Sequence, residues 1–147
     1  MAIKTSTGLR NQLLDTSSLK TILTGGFINI YSGTPPVTAD DAVSSTNLLV
    51  TISVNNTGTG LSFDTSAVNG ALAKNPAEVW SGTITATGTA SYYRFVGATD
   101  TGVASTTEPR IQGTVGTAVA DLNLASVSLT VGVLQTIDFF TIVIPSF

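Results

Sequence analysis

Histidine and cysteine are both missing from the 147 residues. Without cysteine there is no disulfide framework, no thiolate nucleophile and no thiolate metal site. Without histidine the Ser–His and Cys–His relays of covalent catalysis cannot be built. Charge is scarce as well: 6 Lys+Arg and 9 Asp+Glu make up 10% of the chain, where an ordinary soluble domain carries about 25%. The basic residues Lys4, Arg10, Lys20, Lys74, Arg94 and Arg110 stand singly, and the formal net charge is -3. Phosphate-backbone binding needs clustered Lys and Arg, so nucleic acid is not an expected partner. Long apolar runs are missing too. Phe139-Phe140-Thr141-Ile142-Val143-Ile144 is far short of the ~20 residues that span a bilayer. No membrane partner is expected, and no apolar stretch behind Lys4 resembles a secretory leader.

What is present is Thr, Ser, Asn and Gly between short apolar stretches, with a mean hydropathy of +0.37. A chain of this size forms one domain with a real core, burying about 68–70% of its unfolded surface and exposing roughly 7,000 Å² when folded. So few charges on that area suit a protein that spends its life packed against copies of itself or other partners. Composition alone points to structural assembly.

The chain changes character near Gly25-Gly26. Before it, Thr7 is a plausible N-cap, and Leu9, Leu13 and Leu14 share one face of a helix. Ser17 or Ser18 can cap a second short turn carrying Leu19, Ile22 and Leu23, and Gly25-Gly26 stops it. Residues 1–26 therefore read as a helical arm, with Leu9, Arg10, Leu13 and Leu14 as its candidate assembly contacts. The change of period predicts that residues 27–147 fold as a β domain without the arm.

From Phe27 the period is two: Ile28 and Ile30 alternate, then Leu48, Val50, Ile52 and Val54. Pro35-Pro36 and the segment 37–46, with Asp40-Asp41, read as a solvated connection. Asn55 to Gly60 is a turn cluster leading to Leu61 and Phe63. Further strands are expected over Val79–Ala86 with Trp80, over Tyr92–Val96 with Arg94, and over Pro109–Val115. A bent strand is expected around Ala125-Ser126, and a last one over Thr136–Ile144. About eight strands with no helix-period segment between them favour a mostly β fold, an antiparallel β-sandwich of jelly-roll type.

Several motifs have plainer readings. Asp100-Thr101-Gly102 matches an aspartic-protease triplet, but Val96-Gly97-Ala98-Thr99 replaces the apolar strand such a site needs, so a turn is expected. Asp40-Asp41 lacks the further spaced carboxylates of a Ca²⁺ site. Gly58-Thr59-Gly60 and Gly113-Thr114-Val115-Gly116 lack the lysine of a phosphate loop. No metal, cofactor or enzymatic activity is expected. Trp80, Tyr92, Tyr93 and Phe95 are either core or a sugar-stacking platform. Arg94 either reaches solvent or pairs with Glu78.

Ser6-Thr7-Gly8-Leu9-Arg10-Asn11, Gly25 to Gly33 with Thr34-Pro35-Pro36, Ala77 to Gly82, Tyr93-Arg94-Phe95 and Glu108 to Gly113 together resemble small structural proteins of tailed bacteriophages. The resemblance implies a virion location, with assembly in the host cytoplasm, and brings no catalytic residues. Joined to the composition, it suggests a capsid cement or decoration protein whose partner is the major capsid protein, present as a homo-dimer or homo-trimer. A tail-associated receptor- or carbohydrate-binding module is the alternative, and a tail-tube or head–tail connector subunit is a third reading.

Overall fold

The computed structural model describes residues 3–146. The fold is mostly β, with antiparallel sheets and two short helices. The elements run β1 (Lys4–Thr5), α1 (Thr7–Asp15), α2 (Leu19–Leu23), β2 (Phe27–Ser32), β3 (Leu48–Val54), β4 (Ala71–Ala73), β5 (Trp80–Thr83), β6 (Gly88–Val96), β7 (Arg110–Gly116), β8 (Leu122–Asn123), β9 (Ser128–Leu129), β10 (Leu134–Ile137) and β11 (Thr141–Val143). The main sheet has the order β1-β7-β6-β2-β3-β5-β10, with β8 added parallel to β7 and β9 antiparallel to one end of β6. Strands β4 and β11 form a separate two-stranded ribbon.

Register explains how one sheet acquires two different faces. Side chains alternate along a strand, and directly opposed residues share a face. One cross-strand row is Ile52, Ile28, Phe95 and Ile111, and the next is Val50, Ile30, Tyr93 and Gly113. This face carries the apolar core. Phe63, Trp80, Phe95 and Phe140 meet there at centroid distances of 5.6–6.3 Å, in tilted, edge and stacked arrangements. Gly113 is required beside them, because a Cβ there would lie 2.7 Å from the Tyr93 ring. The opposite face carries the row Thr51, Asn29, Arg94, Gln112 and Lys4. It is covered by the loops 33–44 and 97–109.

The N-terminal segment is built into this body. Leu9 and Leu23 are both fully buried in the central core cluster. Lys4 and Thr5 extend the sheet opposite Gln112 and Ile111, and Gly25 N–H donates to Leu61 O. The N-cap of α1 is Ser6, not Thr7: Ser6 Oγ accepts from Leu9 N–H, satisfying an orphan helix donor. Of the two candidates Ser17 and Ser18, it is Ser18 that caps α2, its Oγ accepting from Thr21 N–H. The expected common face of Leu9, Leu13 and Leu14 is not found. Only Leu9 turns inward, while Leu14 is 85% exposed.

Two further differences have simple causes. The expected strand over Thr136–Ile144 divides into β10 and β11, because Phe140 turns into the aromatic core while Phe139 stays 89% exposed. The bent strand around Ala125-Ser126 is two short pairings, β8 and β9, made to different partners.

Candidate functional site

The covered polar face of the main sheet holds the most unusual chemistry in the molecule, two fully buried arginines. Arg110, the first residue of β7, stands opposite Val96, and Arg94 on β6 stands opposite Gln112 and Asn29. Burying a guanidinium without partners is costly, so its donors need acceptors. For Arg110 they are complete. Its Nε donates to Asp100 Oδ2 at 2.5 Å and its Nη2 to Asp100 Oδ1 at 2.8 Å, a two-pronged ion pair. Nη2 also donates to Val103 O, and Nη1 to Ala39 O and Asp40 O. Asp100 Oδ1 further accepts from Gly102 N–H, which closes the Asp100-Thr101-Gly102 turn. That triplet is thus a turn whose aspartate is an arginine partner.

Arg94 is less completely served. Its Nε donates to Gln112 Oε1 at 2.9 Å and its Nη2 to Thr38 O at 3.2 Å, while Gln112 Nε2 donates to Pro36 O. Its Nη1 has no hydrogen-bond partner among the described residues. It neither reaches solvent nor meets Glu78, the two outcomes expected of it. Desolvation, and then repulsion from Arg110, lower its pKa. Tyr31 and Tyr92 stack beside it, centroids 5.0 Å apart and 10° between planes. Burial raises both phenol pKa values.

The loop 33–44 is therefore a lid on these groups as well as the solvated connection expected over 37–46, where most side chains are exposed and only Ala39 is buried. Pro36, Thr38, Ala39 and Asp40 all offer carbonyl oxygens to the covered face. Asp40 anchors the lid to α1 by accepting from Thr7 N–H at 2.8 Å and Thr7 Oγ1 at 2.6 Å. The Thr7 hydroxyl bond is the largest cause of its lowered pKa. Ser6 ties the other loop: its Oγ accepts from Arg110 N–H and donates to Glu108 O. Gly8 makes this approach possible, since a Cβ there would fall 2.3 Å from Thr107 O.

The remaining singled-out residues fall elsewhere. Trp80, Tyr92, Tyr93 and Phe95 are all at most 1% exposed, which places them inside and removes them as a sugar-stacking platform. Glu78 accepts from Ser62 N–H, Ser62 Oγ and Trp80 Nε1. Burial pushes its pKa up, but these hydrogen bonds outweigh it and the net shift is downward. Asn55 and Asn56 take positive φ in the turn before Gly58.

Of the candidate assembly contacts, Leu9 must be corrected: it is wholly inside the core and offers nothing to a partner. Arg10 is on the surface, bonded to Thr5 O and Thr7 Oγ1. Leu13 and Leu14 are exposed. A second apolar surface was not foreseen. Between α2 and the β4–β11 ribbon lies a groove of about 390 Å³ lined by Leu19, Ala67, Leu72, Ile142 and Ile144. Exposed Val68, Val143 and Ile144 lie on the ribbon side. The apolar alternation of β11 was visible, but β4 (Ala71–Ala73) has too bland a composition to mark its partner.

Among the described residues no group of three or more Asp, Glu, His or Cys could hold a metal, and no helix is long and apolar enough to cross a membrane. Family models, curated proteins and solved structures give no match to this chain.

Proposed function

We propose that this chain is a non-enzymatic structural protein of a tailed-phage virion, a cement or decoration protein that binds the outer face of a capsid shell. The observation that carries the reading is the surface. It combines very few charges with large apolar side chains left in solvent, among them Leu14, Val119, Phe139 and Ile144. Of these, Ile144 belongs with Leu19, Leu72 and Ile142 to one apolar groove, and a contiguous apolar surface of that kind marks a contact site. The sequence resemblance supplies the virion, and joined to the scarcity of charge it makes the major capsid protein the expected partner.

In this mechanism a rigid β body is held at several modest contacts, and the array of copies ties neighbouring shell subunits together. With few ion pairs to screen, attachment depends weakly on salt. A homo-dimer or homo-trimer is the expected docking unit, since closed symmetry is the usual form of self-association.

The experiment is stripping and restoring particles. Particles without the protein should release their genome at a lower temperature, and adding it back should restore them. Gel band intensity should give copies on the order of the shell subunits. Equal heat stability with lost adsorption to cells would replace this reading by the receptor-binding one.

A further inference from the structure

We propose that Asn69 is a site of spontaneous covalent modification, losing its side-chain amide through attack by the backbone nitrogen of Gly70. The inference is independent of the virion reading. Three observations converge on it.

The first is the turn itself. Val68 N–H donates to Ala71 O at 2.9 Å and Ala71 N–H to Val68 O at 3.0 Å, which leaves Asn69 and Gly70 as a two-residue loop. Their φ values are 52° and 76°. Two positive φ values in succession are what a type I′ turn requires, and Asn-Gly meets that requirement best. Glycine is imposed from outside as well, because a Cβ on Gly70 would lie 2.9 Å from Ile144 O. The fold therefore demands the one dipeptide that hinders cyclisation least, since glycine puts no side chain beside the attacking nitrogen.

The second is the freedom of the reacting groups. Residues 65–70 are all exposed. Among the described residues neither the Asn69 side-chain amide nor the Gly70 N–H makes a hydrogen bond. The third is the contrast with the other asparagines. Each of the remaining seven is followed by a residue with a side chain, and Asn75 by Pro76, which has no N–H. Asn56 and Asn75 also have both ends of their amides bonded, to Thr83 and to Ser62 and Ala77.

The chemistry needs only water and hydroxide. The Gly70 nitrogen gives up its proton and attacks Cγ of Asn69. A C–N bond forms, closing a cyclic imide, and the Cγ–Nδ2 bond breaks as ammonia leaves with a proton from water. Water then opens the imide at either carbonyl, leaving an aspartate or an isoaspartate at position 69. Water is consumed, ammonia is released, and nothing is oxidised or reduced. The two turn bonds hold the backbone, so the attack draws on local opening of this exposed tip. An isoaspartate adds a backbone carbon to a loop of two residues and spoils its register. Gly70 O accepts from Ile144 N–H at 2.9 Å, so the damage passes to β11 and to the wall of the apolar groove that Gly70, Leu72 and Ile144 line.

The test incubates the full chain in mildly alkaline and mildly acidic buffer and maps its peptides by mass spectrometry, with aspartate and isoaspartate forms separated by chromatography. In alkaline buffer the peptide spanning position 69 should convert at least tenfold faster than any other asparagine-bearing peptide, and in acidic buffer it should convert more slowly. Asn69→Gly keeps the positive φ and removes the amide, so it should show no conversion there and keep its melting midpoint on incubation. The isoaspartate fraction of the parent chain should melt lower than the unconverted fraction. The proposal is overturned if Asn69 stays intact while a blocked Ala-Val-Asn-Gly-Ala peptide converts fully, if another asparagine reacts first, if the rate ignores pH, or if the isoaspartate form melts no lower.

Discussion

The core face of the main sheet and the arginine-bearing middle of its lid face are both hidden from water and are held by different physics. On the core face Ile28, Ile30, Phe95 and Trp80 are buried by the gain from removing apolar area, at roughly 25 cal/mol per Å² and without directional demands. On the lid face Arg94, Arg110 and Gln112 are just as buried, but each donor needs an acceptor at the right place. The first face can absorb a change of shape by repacking. The second cannot absorb the loss of one partner, since the group left behind stays buried and charged. The lid loops are therefore ordered by the arginines they cover, although their composition reads as surface.

The largest effect is expected from removing residues 1–24. The deletion takes Leu9 and Leu23 from the core and Ser6, Thr7 and the Lys4–Thr5 pairing from the lid face. Both faces are damaged at once. Loss of the cooperative thermal transition is the expected outcome, measured by circular dichroism. A deleted chain that melts cooperatively would restore the reading of an independent arm.

A single break in the core face comes next. Phe95→Ala should lower stability by about 3–5 kcal/mol, and Phe95→Leu should recover more than half of that because a branched apolar chain refills much of the space. Urea unfolding of both variants measures the difference. Equal losses would mean that this face is as intolerant of shape as the other.

Ser6→Ala isolates the tie between α1 and the lid face. Ser6 Oγ accepts from Leu9 N–H and Arg110 N–H and donates to Glu108 O, so about 1–2 kcal/mol should be lost, the upper range for a helix cap. A neutral result in urea unfolding would show that the loop is held without it.

The smallest effect is a pH dependence. Asp40 and Glu78 both have folded pKa values below their usual range, Asp40 through the Thr7 hydroxyl and Glu78 through hydrogen bonds that outweigh its burial. The unfolded chain then holds those protons more tightly. Their stabilisation is complete above the unfolded values near about 4 and is lost as pH falls through the folded ones. Thr7→Val should flatten the Asp40 part of this acid-side slope. An unchanged slope in melting midpoint between pH 7 and pH 3 would contradict the assignment.

What the sequence disclosed follows the same division. Ile28/Ile30 and Val50/Ile52 announced their strands because the residues between them, such as Asn29 and Thr51, are polar. Trp80 was legible as a strand residue but stayed open between core and platform, and Phe63 was legible only as the end of the segment after the 55–60 turn. The lid face was not readable, because Arg94, Arg110 and Gln112 look like solvent-facing residues, and only the register that places them opposite one another reveals a network. The segment Phe139–Ile144 misled by apolar continuity, since nothing local says that Phe140 turns in and Phe139 out. The same limit applies to the candidate contacts: Leu9 and Leu14 are identical in type, and packing alone buries one and exposes the other.

The claim that the lid face stands on paired charges is tested most directly by a double-mutant cycle on Arg110 and Asp100. Arg110→Met leaves Asp100 buried and unpaired, and Asp100→Asn leaves Arg110 so while keeping an acceptor for Gly102 N–H. Each single variant should lose about 3–5 kcal/mol in urea unfolding, and the double variant should lose much less than their sum. Single variants that are nearly neutral, or losses that simply add, would contradict the account.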